Sequence, residues 1–167
     1  MAQSEIPVAW IGLGGMVIGA VATAVGARYT TLGGVKAATI DQLVPLQTEL
    51  HSFTSPFVEA RHRLVPLLGG LTPSDPWTRI APSLPRHPPT WCSMTPNPLA
   101  LYDRPETVRR SASQVDDHIR SHQARGSRTL APDAHISVRA LYRELGDAVD
   151  DFTRALKRLA RRGLGVI

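Results

Sequence analysis

The feature that most constrains this chain is a long apolar run near its start. From Ile6 to Ala27 there is no Asp, Glu, Lys or Arg. As a helix this run would extend about 33 Å, enough to cross a hydrocarbon layer of roughly 30 Å. Trp10 and Tyr29 lie near its two ends, where amphipathic rings favour the membrane–water interfaces. The sequence therefore predicts an N-terminal tail and transmembrane helix over residues 1–30.

Small side chains recur within this run at intervals of three and four residues, which places them on one face of the predicted helix. These residues are Gly12, Gly15, Gly19, Ala22 and Gly26. A face without large side chains lets two helices approach closely in a bilayer. We therefore expect helix packing in the membrane through this face, including self-association. Glycine-alanine filler of low complexity is an equally weighted alternative.

The charges that flank the run bear on its processing and orientation. Residues 1–5 carry an acid and no Lys or Arg, whereas export signals begin with positive charge, so a retained anchor is favoured over a cleaved leader. Arg28 and Lys36 follow the run. By the positive-inside rule, the N-terminus is predicted outside and the C-terminal region in the cytoplasm.

An alternative interpretation of the same region is enzymatic. Val8–Met16 resembles the opening strand and turn of the β-hydroxyacid dehydrogenase family. The resemblance implies a truncated NAD(P)-binding protein in which Gly12 and Gly14 lie against a pyrophosphate. Val17 stands where the family has its third glycine, and no acidic or basic ribose-binding residue follows. The anchor is the favoured interpretation.

After the anchor, a proximal amphipathic segment is predicted over residues 31–71. Its apolar residues alternate spacings of three and four, the pattern of a helical seam: Leu43, Leu46, Leu50, Phe53, Phe57, Ala60, Leu64, Leu67 and Leu71. Pro45, Pro56 and Pro66 lie off this seam, and a proline inside a helix costs about 3 kcal/mol. The segment is therefore predicted as two or three shorter helices or one kinked helix.

Residues 72–104 contain eight prolines and are predicted to form an extended, semi-rigid linker. A freely solvated linker has little reason to hold Trp77 and Trp91, so these rings are expected to dock onto the helices or the membrane interface. The linker is expected to end where a distal pair of helices begins, over residues 105–167.

The first distal helix is predicted from Pro105 to about Gly126, and the second is capped by Asp133. The second has the stronger apolar stripe, which repeats the spacing of three and four: Val138, Leu141, Leu145, Ala148, Phe152, Ala155 and Leu159. This distal seam and the proximal one are expected either to bury each other as an antiparallel bundle or to pair between subunits.

The end of the last predicted helix is basic. Its cations are Arg154, Lys157, Arg158, Arg161 and Arg162. Cations in a last turn complement the helix dipole, but this group exceeds what capping requires. With Phe152, Leu156, Leu159 and Leu164 they form a short basic amphipathic segment suited to an anionic lipid surface.

Motifs for chemistry are sparse. His118 and His122 lie one helical turn apart without a third ligand, so a solvated pair is favoured over a metal site. Cys92 is the only cysteine, which excludes an internal disulfide. The sequence contains no nucleophile elbow, no phosphate loop and no zinc constellation. We therefore expect neither a catalytic site nor a cofactor, and the sequence identifies no small-molecule substrate.

The sequence thus predicts a mainly α protein with a single N-terminal transmembrane helix, amphipathic helices and a proline-rich connector. The expected function is that of a membrane-anchored accessory or scaffold protein, whose partners are membrane lipid and another protein or a second copy of itself. The net charge of +5 also allows a basic nucleic-acid binder, which is disfavoured because no aromatic stacking set accompanies the charge. All but two of the 19 basic residues are arginine, a bias that GC-rich coding also produces.

Overall fold

The computed structural model describes residues 41–163. Three long helices make up most of this part: α1 covers residues 41–64, α2 is Pro98–Ala124 and α3 is Pro132–Gly163. Three short 3₁₀ helices lie at Pro66–Gly69, Ala81–Ser83 and Thr90–Met94. No β-strand occurs between residues 41 and 163. The prediction of a mainly α fold is confirmed.

The predicted membrane anchor is not among these helices. None of the helices within residues 41–163 combines the length and the apolar composition needed to cross a bilayer. The predicted span at 6–27, with Gly12, Gly15, Gly19, Ala22 and Gly26, lies outside the described residues, and so does the dehydrogenase-like segment Val8–Met16.

The core from Leu43 onward is built where the two predicted seams meet. The ring of Phe53 on α1 meets the ring of Phe152 on α3 edge to face, with centroids 4.9 Å apart, and Phe57 lies 6.3 Å from the same ring. The fully buried residues of the seams also include Leu64, Leu67, Val138, Leu141, Leu145 and Ala148. The proximal and distal seams therefore bury each other within one chain.

The margins of the seams are less enclosed. Leu50, Ala60 and Ala155 are buried, while Leu46 and Leu159 are partly buried against the core. Leu43 is half-buried, and Leu71 is exposed because it lies beyond the end of α1, where residues 70–72 bond to the connection between α2 and α3.

Helix α1 runs without interruption through Pro45 and Pro56, so of the expected forms, several shorter helices or one kinked helix, a division at these two prolines does not occur. Pro56 lacks the amide that would bond to the carbonyl of Ser52, but Ser52 is exposed and water can satisfy that carbonyl. The helix ends before Pro66, which begins a 3₁₀ helix that stops at Gly70, a residue with a φ of 79°.

Helix α2 starts at Pro98, well before the predicted start at Pro105. Proline suits the first position of a helix, so both prolines were reasonable starting points. Pro105 instead lies buried inside the helix, between the buried residues Leu101 and Val108. We attribute the tolerance of an interior proline to the burial of Leu101 and of Pro105 itself in this N-terminal extension.

The proline-rich segment, residues 72–97, also differs from the predicted extended linker. It forms two of the 3₁₀ helices and inserts apolar side chains into the core: Ile80, Ala81, Leu84, Trp91 and Cys92. Trp77 packs partly buried against the same core, so the expected docking of both tryptophans onto the helices is observed. Proline has no backbone N–H, so a proline-rich segment leaves fewer donors unsatisfied when it packs against helices. Such a segment can therefore cover helices without forming a ladder of hydrogen bonds.

Candidate functional site

A single buried carboxylate fixes the proline-rich segment to α2. Asp116 is 1% exposed and accepts hydrogen bonds from the indole Nε1 of Trp77 at 2.9 Å, from the amide of Ile80 at 3.0 Å and from the amide of Ala81 at 2.9 Å. Hydrogen bonds to an ionised acceptor are among the stronger ones in proteins. Asp116 therefore sets where residues 77–81 lie along α2.

Next to this contact, four arginines line one cavity of about 520 Å³, which we call the arginine cavity. The proline-rich segment contributes two of them and α2 contributes the other two. Its lining residues are Arg79, Ala81, Pro82, Arg86, Glu106, Arg109, Arg110, Ser113 and Asp116. The cavity thus lies between the proline-rich segment and α2, and the hydrogen bonds of Asp116 fix these two walls relative to each other.

Two of the four arginines have protein partners. Arg109 is mostly buried; its Nε donates to the carbonyl oxygen of Ala81 at 3.4 Å, and its guanidinium lies 3.9 Å from Glu106. Arg79 pairs with the exposed Asp117 at 3.3 Å. Arg86 and Arg110 are exposed and form no ion pair with a residue of the described part of the chain. The cavity therefore holds more positive charge than its acidic neighbours compensate.

A second cavity, of about 380 Å³, lies where the start of α2 meets the last third of α3, and we call it the C-terminal cavity. Three arginines line it, together with Asp151. Asp151 pairs with Arg104 and, at 2.6 Å, with Arg154, whose pKa its hydrogen bond and charge raise above the ordinary value. One carboxylate thus pairs with two of the three arginines, and the lining keeps a formal excess of two positive charges.

The predicted contacts to an anionic surface lie along the last turns of α3. All five are exposed, namely Arg154, Lys157, Arg158, Arg161 and Arg162. Their predicted apolar companions do not share that exposure: Phe152 and Leu156 are buried, and Leu159 packs against the core. Leu164 lies outside the described residues. The basic end can therefore attract anions, but the apolar side chains needed to enter a lipid layer are used by the bundle.

One histidine of the predicted pair, His122, contacts the turn between α2 and α3. His122 Nε2 accepts a hydrogen bond from the amide of Ala131 at 3.4 Å, and within residues 41–163 no group of three or more His, Cys, Asp or Glu residues could hold a metal ion. Cys92 is fully buried, and burial raises the pKa of its thiol to about 12. At neutral pH the thiol is therefore protonated and shielded from reagents.

Sequence reasoning missed the arginine cavity. Arg79 and Arg86 lie in the segment that was expected to be a linker, and Arg109 and Arg110 lie on a helix with a thin apolar stripe. Asp116 belongs to no recognisable motif in the sequence. No local pattern joins these residues, because the cavity forms only when the proline-rich segment folds back onto α2.

Comparisons with protein-family models, with curated proteins and with solved structures find no match to this chain.

Proposed function

We propose that this chain is a membrane-anchored accessory protein whose helical domain is held at the cytoplasmic face and acts by binding partners. The observation that carries the proposal is the uncharged run at 6–27, followed by Arg28 and Lys36. The small-residue face of that run, with Gly15 and Gly19 at its centre, supports association with a second copy in the bilayer.

The bundle limits how the helical domain can bind. Phe53 and Phe152 contact each other, so the seams are already occupied and do not serve as a docking face for another protein. Binding must use the outer surface, where the chain offers exposed cations on α3 and the two arginine-lined cavities. An accessory role through charged contacts fits this surface better than a coiled coil does.

Carbonate extraction of membranes that contain the full chain tests the anchor. We expect the wild-type chain to stay with the membranes and the Val17→Arg/Val21→Arg variant to be released, because a charge at the centre of a span costs about 3 kcal/mol. Val44→Arg is the matched control, since Val44 is 56% exposed on α1 and should tolerate a charge. Release of the wild-type chain contradicts the anchor.

Thiol labelling in whole cells tests the orientation. Cys92 is buried and gives no background in the folded chain, so Ser4→Cys and Ser74→Cys can each be probed with a membrane-impermeant maleimide. Ser74 is exposed in the proline-rich segment. We expect Ser4→Cys to react in intact cells and Ser74→Cys to react only after lysis. The reverse pattern contradicts a cytoplasmic domain.

Nucleic-acid binding is the second candidate, and the exposed basic row at the end of α3 favours it. It predicts salt-dependent retention of the chain on DNA or RNA that falls when Arg158, Arg161 and Arg162 are changed to alanine. Retention that is the same in wild type and variant would argue against this role for the basic row.

A further inference from the structure

The arginine cavity has a property that membrane anchoring does not require: it collects positive charge between two walls of the fold. We propose that it binds a small ligand that carries a phosphate group, with Arg86 and Arg110 as the principal contacts. The proposal concerns the folded domain alone and holds whether or not the N-terminal run crosses a membrane.

The first argument is charge. Four guanidinium groups and two carboxylates line the cavity, a formal excess of two positive charges. One of the carboxylates, Asp116, is buried and already accepts hydrogen bonds from Trp77, Ile80 and Ala81. Guanidinium groups held together without matching anions repel one another, so a bound anion would relieve that repulsion. Asp117, outside the lining, pairs with Arg79 and compensates part of this excess. A phosphate monoester carries about −1.5 to −2 at neutral pH, enough to neutralise the positive charge that remains.

The second argument is preorganisation. Arg79 and Arg86 come from the proline-rich segment, where proline restricts the backbone, and Arg109 and Arg110 come from α2. Asp116 fixes the two walls relative to each other, and the bond from Arg109 to the Ala81 carbonyl adds a second tie. The two walls are therefore in place before a ligand enters, and only the exposed side chains of Arg86 and Arg110 have to be ordered on binding.

The third argument concerns the size and chemistry of the ligand. A volume of about 520 Å³ lies within the usual range for small-molecule sites. A planar guanidinium group can donate two parallel hydrogen bonds to the oxygens of one phosphate. The hydroxyl of Ser113, which also lines the cavity, can donate to the same phosphate. Among residues 41–163 no aromatic side chain lines the cavity, so this part of the chain gives it no stacking platform of the kind that single-stranded nucleic acid uses.

The experiment is a thermal-shift titration of the full chain in a neutral detergent with inorganic phosphate and with glycerol 3-phosphate. A ligand that binds only the folded state raises the Tm. We expect both compounds to raise it more than sodium chloride does at equal ionic strength. A rise no greater than that of chloride overturns the proposal, because it would reflect general screening.

Variants locate the binding. Arg86→Gln and Arg110→Gln should each weaken binding of glycerol 3-phosphate about tenfold, equivalent to about 1.4 kcal/mol. Arg120→Gln is the matched control, since Arg120 is an exposed arginine of α2 outside the lining. An equal loss in all three variants overturns the assignment to this cavity.

A measurement on the wild-type chain guards against variants that fail to fold. Phenylglyoxal modifies exposed arginines, and peptide mass spectrometry reports each site separately. With glycerol 3-phosphate present, we expect slower modification at Arg86 and Arg110 and an unchanged rate at Arg120. Unchanged rates at all three sites overturn the proposal.

The phosphate group could belong to a soluble compound or to a lipid. Flotation with phosphatidylcholine vesicles, with and without phosphatidic acid, distinguishes the two sources. Binding to phosphatidic acid that depends on Arg86 and Arg110 supports a lipid headgroup, whereas binding of glycerol 3-phosphate alone supports a soluble ligand. Retention of a single-stranded oligonucleotide that depends on the same arginines, without binding of either phosphate compound, overturns the proposal in favour of nucleic acid.

Discussion

Two of the contacts that hold the bundle together do so by different means. Between α1 and α3, apolar side chains interlock over many turns, with Phe57, Leu64 and Phe152 fully buried. Between the proline-rich segment and α2, one carboxylate gathers the donors of three residues. The first contact is distributed and the second is concentrated. A distributed contact is visible as sequence periodicity, whereas a concentrated one depends on a residue that looks ordinary in the sequence.

The largest expected effect tests the distributed contact. Phe152→Ala removes a ring that packs against both Phe53 and Phe57, and truncation of a buried phenylalanine costs about 3–5 kcal/mol of unfolding free energy. Ile136→Ala on the same helix is the control, because Ile136 is 67% exposed. Chemical denaturation followed by circular dichroism measures both. Equal effects would mean that the seam is not the core of the domain.

The concentrated contact should be nearly as sensitive at one position. Asp116→Ala leaves the indole of Trp77 and the amides of Ile80 and Ala81 without their acceptor, which we expect to cost about 2–4 kcal/mol. Its neighbour Asp117 offers a matched control, since it is exposed and makes only a surface ion pair, and Asp117→Ala should cost about 0.5 kcal/mol or less. Similar losses in the two variants would show that Asp116 does not fix the segment.

The same contrast explains what the sequence could and could not predict. The seams were predictable, because burial on one face of a helix imposes a spacing of three and four. The predicted start of α2 was wrong because proline suits the first position of a helix and either Pro98 or Pro105 could mark it. That preference does not include the burial of Leu101 in the longer helix. The arginine cavity was not predictable, since its walls come from separate elements and Asp116, which joins them, has no periodic signature.

A third prediction uses pH to test whether the proline-rich segment is truly part of the core. The pKa of Cys92 is raised from 9.0 to about 12 because the thiol is buried. Above pH 9 the unfolded chain releases this proton and the folded chain does not, so stability is complete below pH 9 and falls as the pH rises toward 12. The loss is at most about 1.4 kcal/mol for each pH unit.

Cys92→Ala supplies the reference for this measurement, because alanine does not titrate. Between pH 8 and pH 10 the wild-type chain should lose about 1.4 kcal/mol more unfolding free energy than the variant does. Equal losses would mean that the thiol ionises as readily in the folded chain as in the unfolded one, and hence that the segment around Trp91 is open to solvent.

The smallest expected effect concerns the rim of the distributed contact. Gly146 lies inside α3, where alanine is favoured over glycine by about 1 kcal/mol. A Cβ there would lie 3.2 Å from Cζ of Arg61, the end of a flexible side chain whose guanidinium covers the ring of Tyr142 at 4.4 Å. A small shift of Arg61 weakens that contact, so Gly146→Ala should stabilise the domain by only about 0.5 kcal/mol.

The control is Gly70→Ala, which should destabilise by about 1 kcal/mol because Gly70 has a φ of 79°. The Arg61→Ala/Gly146→Ala double variant then separates the two contributions: if crowding limits the gain, Gly146→Ala should be worth more in the absence of Arg61. A destabilising Gly146→Ala would show that the α1–α3 contact is rigid to its edge. A gain would show that the α1–α3 contact tolerates a change at its edge. The contact at Asp116 is expected to be less tolerant, because three donors depend on one carboxylate.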